Sequence, residues 1–200
     1  MKLTEANQVI RAQNVSASEV GALVGSHPYT TPERIWDRLM GVEEERPTSE
    51  AMETGSFMEG PILRLAEKRL GIKARQNART YAHKTVRLCA TPDALVIGQP
   101  PGLVEIKMSG RPEIWRSVPE YVEWQVRAQM ACTNRYTVAV CVLVGVGLRT
   151  FLIERDADLE DRMLAAVQVF WTDHILTGVR PEPIVEDLTL NFKGNGDAPR

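Results

Sequence analysis

Apolar residues recur at helical spacing in four stretches of the chain, and short strand-like runs lie between them. Thr31-Pro32 opens the first helix. Thr31 is placed to cap free N–H groups, Pro32 suits the first helical position, and Gly41 stops the run, with Ile35, Trp36 and Leu39 as the buried stripe. An acidic turn, Glu43-Glu44-Glu45-Arg46-Pro47, leads to a second helical pattern that Ser49 opens and Gly71 closes after Leu70. Met52, Phe57, Met58, Ile62, Leu65 and Ala66 form its apolar side. Gly55, Gly60 and Pro61 interrupt it, so one bent helix and two joined pieces fit the pattern equally.

From residue 72 to 107 the pattern becomes strand-like. Val86-Arg87-Leu88-Cys89-Ala90 comes first, then residues 94–97, the turn Gly98-Gln99-Pro100-Pro101-Gly102, and Leu103-Val104-Glu105-Ile106-Lys107, which together read as an antiparallel ribbon. Pro119 starts a third helix that runs through Cys132. Residues 136–144 and 149–154, joined by glycines 145 and 147, read as a second hairpin. A long amphipathic helix follows from about Asp156 to Leu176, with Leu159, Met163, Val167, Phe170, Trp171 and His174 on one side. No internal repeat or central linker divides the chain. The expectation is one α/β domain over residues 1–178, with 179–200, rich in Pro, Gly and Asp, as a poorly ordered tail.

Composition narrows the classes. Two hundred residues with 44% hydrophobic content suffice for a sizeable core. The longest apolar stretch, residues 137–148, is shorter than the roughly 20 residues a membrane span needs. The amino terminus lacks a cationic segment followed by an apolar run, which points to the cytoplasm. Three cysteines without C-x-x-C spacing disfavour a disulfide framework or a four-thiolate metal site. The net charge of −2 hides an asymmetry: residues 61–90 carry eight Lys/Arg against Glu67 alone, a segment able to face phosphates.

The informative chemistry is Pro92-Asp93 after one strand and Glu105-Ile106-Lys107 on another. Residues i and i+2 of a strand face the same side, so Glu105 and Lys107 project together while Ile106 points into the core. If the ribbon folds back, Asp93 lies beside Glu105, and two carboxylates and a lysine converge. Mg²⁺ takes such oxygen ligands together with water and substrate phosphate, and a lysine nearby can orient or deprotonate the attacking water. The triplet taken alone also fits an exposed cross-strand charge pair.

Thr91-Pro92-Asp93 followed by Glu105-Ile106-Lys107 resembles the PD-(D/E)XK nuclease signature. The wider pattern resembles its lambda-exonuclease-like branch, the YqaJ-type phage recombination nucleases. Arg11 followed by Ser16-Ala17-Ser18-Glu19 is similar to the early motif of that branch. Gly25-Ser26-His27-Pro28-Tyr29-Thr30-Thr31-Pro32 with Trp36, Gly55-Ser56-Phe57-Met58-Glu59, and a helix carrying Gln125 then follow in the family's order. The resemblance runs from about Arg11 to Phe151. Two departures are Thr91 in place of the usual serine and Val122 where many relatives carry a tyrosine.

The resemblance implies a restriction-endonuclease-like α/β core, a mixed central sheet flanked by helices. It implies Glu59, Asp93 and Glu105 as metal-site acids, the Ile106 carbonyl as a further ligand, Lys107 as the catalytic lysine, and Gln125 as orienting the water or the lysine. Arg11, Ser18 and Thr91 would form a pocket for a DNA 5′-phosphate. The implied activity is Mg²⁺-dependent, with Mn²⁺ as a substitute: 5′-to-3′ digestion of linear duplex DNA that leaves 3′ single strands for recombination, in a bacterial or phage-infected cell. A ring-shaped trimer enclosing DNA, working beside a single-strand annealing protein, is the implied assembly. Alternatives are an internally cutting or repair nuclease of the same fold and a non-catalytic module that binds DNA ends. Outside the resemblance, Glu59 reads as a solvated helix residue, Gln125 and Gln129 as a polar helix face, and Ser16 and Ser18 as helix caps.

Overall fold

A computed structural model describes residues 4–42 and 49–182; the acidic turn and the segment 183–200 lie outside the described residues. Among the described residues, eight strands form two sheets. The larger, in the order β2-β5-β6-β7-β8, comprises β2 (Lys73–Gln76), β5 (Ala94–Ile97), β6 (Gly102–Ser109), β7 (Thr137–Val144) and β8 (Gly147–Glu154). Only the β6–β7 pair in it is parallel, so the sheet is mixed, as expected. A parallel pair needs a crossover, and α5 (Glu120–Thr133) supplies it. The smaller sheet, in the order β1-β4-β3, joins β1 (Val15–Ser16), β4 (Leu88–Ala90) and β3 (Tyr81–Ala82).

Strand alternation sorts the side chains of β6 between two cores. Val104 and Ile106 pack with Ile62, Leu63 and Ala66 of α4 (Glu50–Leu70) on one face. Leu103 packs on the other face with Val122, Val126 and Met130 of α5. The far side of α5, through Ala128 and Ala131, meets Met163, Val167 and Phe170 of α6 (Ala157–Phe170) and the residues of the small sheet. The central helix is therefore walled on both sides, which explains why polar residues along it end up buried.

Several boundaries differ from the sequence pattern. The strand at 86–90 is not part of the ribbon: β5 and β6 pair as expected, but β4 pairs with β1 and β3. Pro92 has no N–H to give a ladder, and the Asp93 side chain takes the Ile106 N–H, so the chain changes sheets at this point. A helix before residue 31, α1 (Glu5–Ala12), escaped the pattern because its only large apolar residues are the adjacent Val9 and Ile10, too short a run to show a period; Thr4 caps it by accepting from Asn7 N–H. A short turn of helix, α2 (Val20–Leu23), precedes α3 (Pro32–Leu39). The segment 50–70 is one helix, with Pro61 inside it and Gly71 in a left-handed conformation at its end. Phe57, placed on the buried side by the periodicity, is 81% exposed, because the first turns of α4 run beyond the packed part of the sheet. Arg180 leaves the last helical turns and forms a two-toothed ion pair with Asp37 of α3. Among the described residues no helix is long and apolar enough to cross a membrane.

Candidate active site

The segment 91–93 is held from two directions. Thr91 and Thr80 share a hydroxyl hydrogen bond of 2.8 Å. Asn77 donates from its amide nitrogen to the Pro92 carbonyl at 2.9 Å, and its backbone N–H bonds to the Asp93 carbonyl at 2.9 Å. So anchored, Asp93 directs its carboxylate at β6, where Oδ2 accepts the Ile106 N–H at 2.7 Å. That bond marks where β5 stops covering β6, since their pairing ends at Ala94 opposite Val104. A strand residue turns its N–H and C=O to the same edge, so the Ile106 carbonyl faces the Asp93 side as well.

On the α5 face of β6, Glu105 is 2% exposed and both of its oxygens are engaged. Oε1 takes the Lys107 ammonium at 2.6 Å and Gln125 Nε2 at 2.6 Å; Oε2 takes Gln129 Nε2 at 2.6 Å. Lys107 Nζ also donates to Gln125 Oε1 at 3.1 Å. Lys107, Glu105 and Gln125 thus close a triangle, and Gln129, one helical turn beyond Gln125, holds the remaining carboxylate oxygen.

The electrostatics follow from this crowding. Asp93 is pushed well above the ordinary carboxylate range, first by loss of surrounding water and next by the Glu105 charge, against the opposing pull of Lys107 and the Ile106 N–H. Burial alone would lower the Lys107 pKa, but Glu105 and Asp93 outweigh it, so the lysine is raised and stays an ammonium at neutral pH. Glu59 on α4 is raised, mainly by burial, and also feels Glu105 and Lys107. Two carboxylates and a main-chain carbonyl are hard oxygen donors, and one ammonium leaves their negative charge undercompensated; this donor set fits a divalent cation. Among the described residues, no three or more His, Cys, Asp or Glu side chains gather closely enough to hold an ion by themselves. Asp93 and Glu105 would need the Ile106 carbonyl, water or substrate oxygens to complete a shell.

Arg11, Ser18 and Thr91 sit around the small sheet without a hydrogen bond to one another among the described residues. The parallel register sets Ser16 beside Cys89; Ser18 follows in the helical turn Ala17–Glu19, and Thr91 follows the end of β4. Ser18 is exposed, with its hydroxyl 3.3 Å from that of Ser16. Arg11 closes α1, where its carbonyl accepts from Arg38 Nη1 at 2.8 Å. Arg38 grips Glu19 with two further bonds of 2.7 Å, and Glu19 accepts the Ser16 N–H at 2.8 Å. Ser16, rather than Ser18, begins the short helical turn at Ala17–Glu19.

Sequence reasoning passed over Asn77 entirely and left Gln129 as a polar helix face. The four-residue spacing of Gln125 and Gln129 was the available signal for the latter; nothing local marks Asn77, whose partner lies 15 positions away. Val122 is fully buried core, while its neighbour Tyr121 is the ring whose ionisation feels Lys107. Burial disfavours the thiolate at all three cysteines, pushing Cys89 up to about 11 and Cys141 up to about 12 and raising Cys132 as well.

The mixed sheet flanked by helices is a fold shared with solved exonuclease structures. An alkaline exonuclease from Laribacter hongkongensis superposes with a TM-score of 0.72 at 23% identity, covering 88% of this chain and 94% of that one. A phage-related exonuclease from Haemophilus somnus 129PT gives 0.62 at 12% identity, covering 82% and 96%. The chain belongs to the family of the YqaJ-like viral recombinase domain, whose profile matches residues 8–136. It is also similar to the uncharacterized protein YqaJ of Bacillus subtilis strain 168, 26% identical over 180 residues. That match covers 86% of this chain but 56% of the relative, so the chain spans little more than half the length of that curated protein.

Proposed function

We propose that this protein is a metal-dependent deoxyribonuclease that digests one strand of linear duplex DNA from its 5′ end and leaves a 3′ single strand for recombination. The observation that carries the reading is the Glu105–Lys107–Gln125 triangle with Asp93 on the adjoining strand edge. The Laribacter alkaline exonuclease, which shares the fold, has also been crystallised with dAMP, a product-like nucleotide.

In this reading Asp93, Glu105 and the Ile106 carbonyl hold Mg²⁺, with Glu59 contributing from α4. Mn²⁺ is an acceptable substitute, being another oxygen-seeking cation. When bound, the ion supplies Lewis-acid stabilisation of the phosphate and lowers the pKa of water. Lys107 places its ammonium at the reacting oxygens and exchanges a proton there. Gln125 fixes both the lysine and Glu105, so that the reactive geometry exists before DNA arrives. Arg11, Ser18 and Thr91 receive the terminal 5′-phosphate, which sets the direction of digestion. The slightly acidic net charge of −2 is reconciled with DNA by a ring of three copies whose inner wall is positive; the cations of residues 61–90 are candidates for that lining. A single-strand annealing protein would take the product strand.

The test is an assay on end-labelled linear duplex with Mg²⁺. Nucleotides should be released from 5′ ends, and Lys107→Ala should lose about 10²- to 10⁴-fold in rate while still binding DNA. Absence of release from any linear duplex sinks the reading, and rapid nicking of closed circular plasmid replaces it with an internally cutting nuclease.

A further inference from the structure

A group of rings lies beside Lys107 that none of the proposed proton or metal chemistry uses. His27 and Tyr29 come from the loop between α2 and α3, and Tyr121 from the first turn of α5. Their ring centroids are 5.1 Å (His27–Tyr121), 5.9 Å (Tyr29–Tyr121) and 6.0 Å (His27–Tyr29) apart, all edge to face. Tyr121 stands one helical turn before Gln125 on α5, and Gln125 bonds to both Lys107 and Glu105, which puts the rings next to the site.

The cluster is held firmly on its inner side and open on its outer side. His27 Nδ1 accepts the N–H groups of Tyr29 and Thr30, each at 3.1 Å, so its proton sits on Nε2; burial lowers its pKa and keeps the ring neutral. Tyr121 is pressed by α2 so closely that a Cβ on Gly21 would stand 3.1 Å from Tyr121 Cα. Tyr29 is the outer ring, 58% exposed, and its hydroxyl accepts a 3.3 Å hydrogen bond from Arg111. A tyrosine that served only the core would bury its ring. This one is propped on two fixed rings with its outer side in solvent and a guanidinium at its rim.

We propose that the His27–Tyr29–Tyr121 cluster is a stacking wall for an unpaired nucleobase of the strand being cut, next to the scissile phosphate. The inference rests on the nuclease reading and deepens it. It requires the terminal base to leave the duplex stack, because a base inside a helix has no free face to offer. Stacking accepts any base, as suits an enzyme that must digest every sequence it meets. Arg111 holds the Tyr29 hydroxyl and adds positive charge where the backbone turns away.

The experiment compares 5′-phosphorylated duplexes in which either of the first two nucleotides of the cut strand carries adenine or is an abasic tetrahydrofuran analogue. Wild-type protein with Mg²⁺ should show kcat/KM about five- to a hundredfold higher on the base-bearing end at one of these positions. Tyr29→Ala should lower the rate on that substrate alone and so erase the difference, whereas Tyr29→Phe, which keeps the ring and loses only the Arg111 bond, should preserve it. Thermal melts check that the exposed substitution leaves the fold intact. Equal wild-type rates on base-bearing and abasic ends, or an equal loss on both in Tyr29→Ala, overturns the stacking wall and leaves the nuclease standing. Failure to release nucleotides from any of these duplexes overturns the nuclease reading, and the wall with it.

Discussion

Gln129 donates from Nε2 to Glu105 Oε2 at 2.6 Å, between side chains that are 1% and 2% exposed. A carboxylate this deep needs its oxygens supplied with donors, and the fold provides Gln125 and Gln129 from one face of α5 and Lys107 from β6. The other amide atom, Gln129 Oε1, is itself buried without a hydrogen-bond partner, so the residue bears a desolvation cost to serve Glu105.

Replacing Gln129 with leucine removes the donor while keeping the volume. It should cost about 1–3 kcal/mol, the usual penalty for stranding a buried polar partner. Denaturant unfolding at neutral pH reads this as a lower midpoint with an unchanged slope. A midpoint equal to wild type would mean that Oε2 finds another donor.

The acid pair sets a pH dependence with a definite sign. Asp93 is raised in the folded state above its ordinary value of 3.8, so the fold binds more protons than the unfolded chain between the two values. Stability of the metal-free protein should therefore fall as pH rises from the ordinary carboxylate range through the raised folded value. Glu59, also raised, adds to the same slope. Urea unfolding in a chelator across roughly pH 4 to 8 should show this decline, and Asp93→Asn should flatten most of it. Divalent metal should raise the unfolding temperature of wild type more than that of Asp93→Asn.

If Arg11, Ser18 and Thr91 receive a terminal phosphate, phosphorylated 5′ ends should be digested faster than hydroxyl ends. The guanidinium makes charge-assisted bonds, and Arg11→Ala should reduce the rate on phosphorylated ends about ten- to a hundredfold while sparing hydroxyl ends. Paired end-labelled substrates measure the ratio directly. Equal rates in the unmutated protein would remove the pocket and leave the metal site in place.

Arg38 ties α3 to Glu19, to the Arg11 carbonyl and to the Asn14 carbonyl through four hydrogen bonds. Lysine has the charge but not the planar fork, so Arg38→Lys should still destabilise the protein, by about 1.5–3 kcal/mol. Because the same bonds set where α1 ends, the variant should also blunt the preference for phosphorylated ends. Thermal unfolding and the end-preference assay, run together, test both effects.

The local chemistry of the chain determined a good deal. Ser49 and Gly71 mark a helix start and stop that need only adjacent backbone groups. Alternation along residues 103–107 put Glu105 and Lys107 on one face and Ile106 on the other, because strand geometry has a period of two wherever the strand lies. The order of short motifs, read together, identified the family.

Tertiary structure alone decided the rest. That β4 leaves the ribbon for a second sheet depends on Pro92 and Asp93 meeting Ile106 across a gap in the ladder, a pairing between residues 13 positions apart. That Gln129 is buried against the Glu105 carboxylate, while Phe57 on an apolar stripe is exposed, depends on α5 lying between two cores and on the first turns of α4 running past the sheet. Asn77 became visible only when folding set it against Pro92. Periodicity records which side chains share a face of their own element, but burial and charge depend on what is packed against that face, and that is supplied by residues distant in sequence.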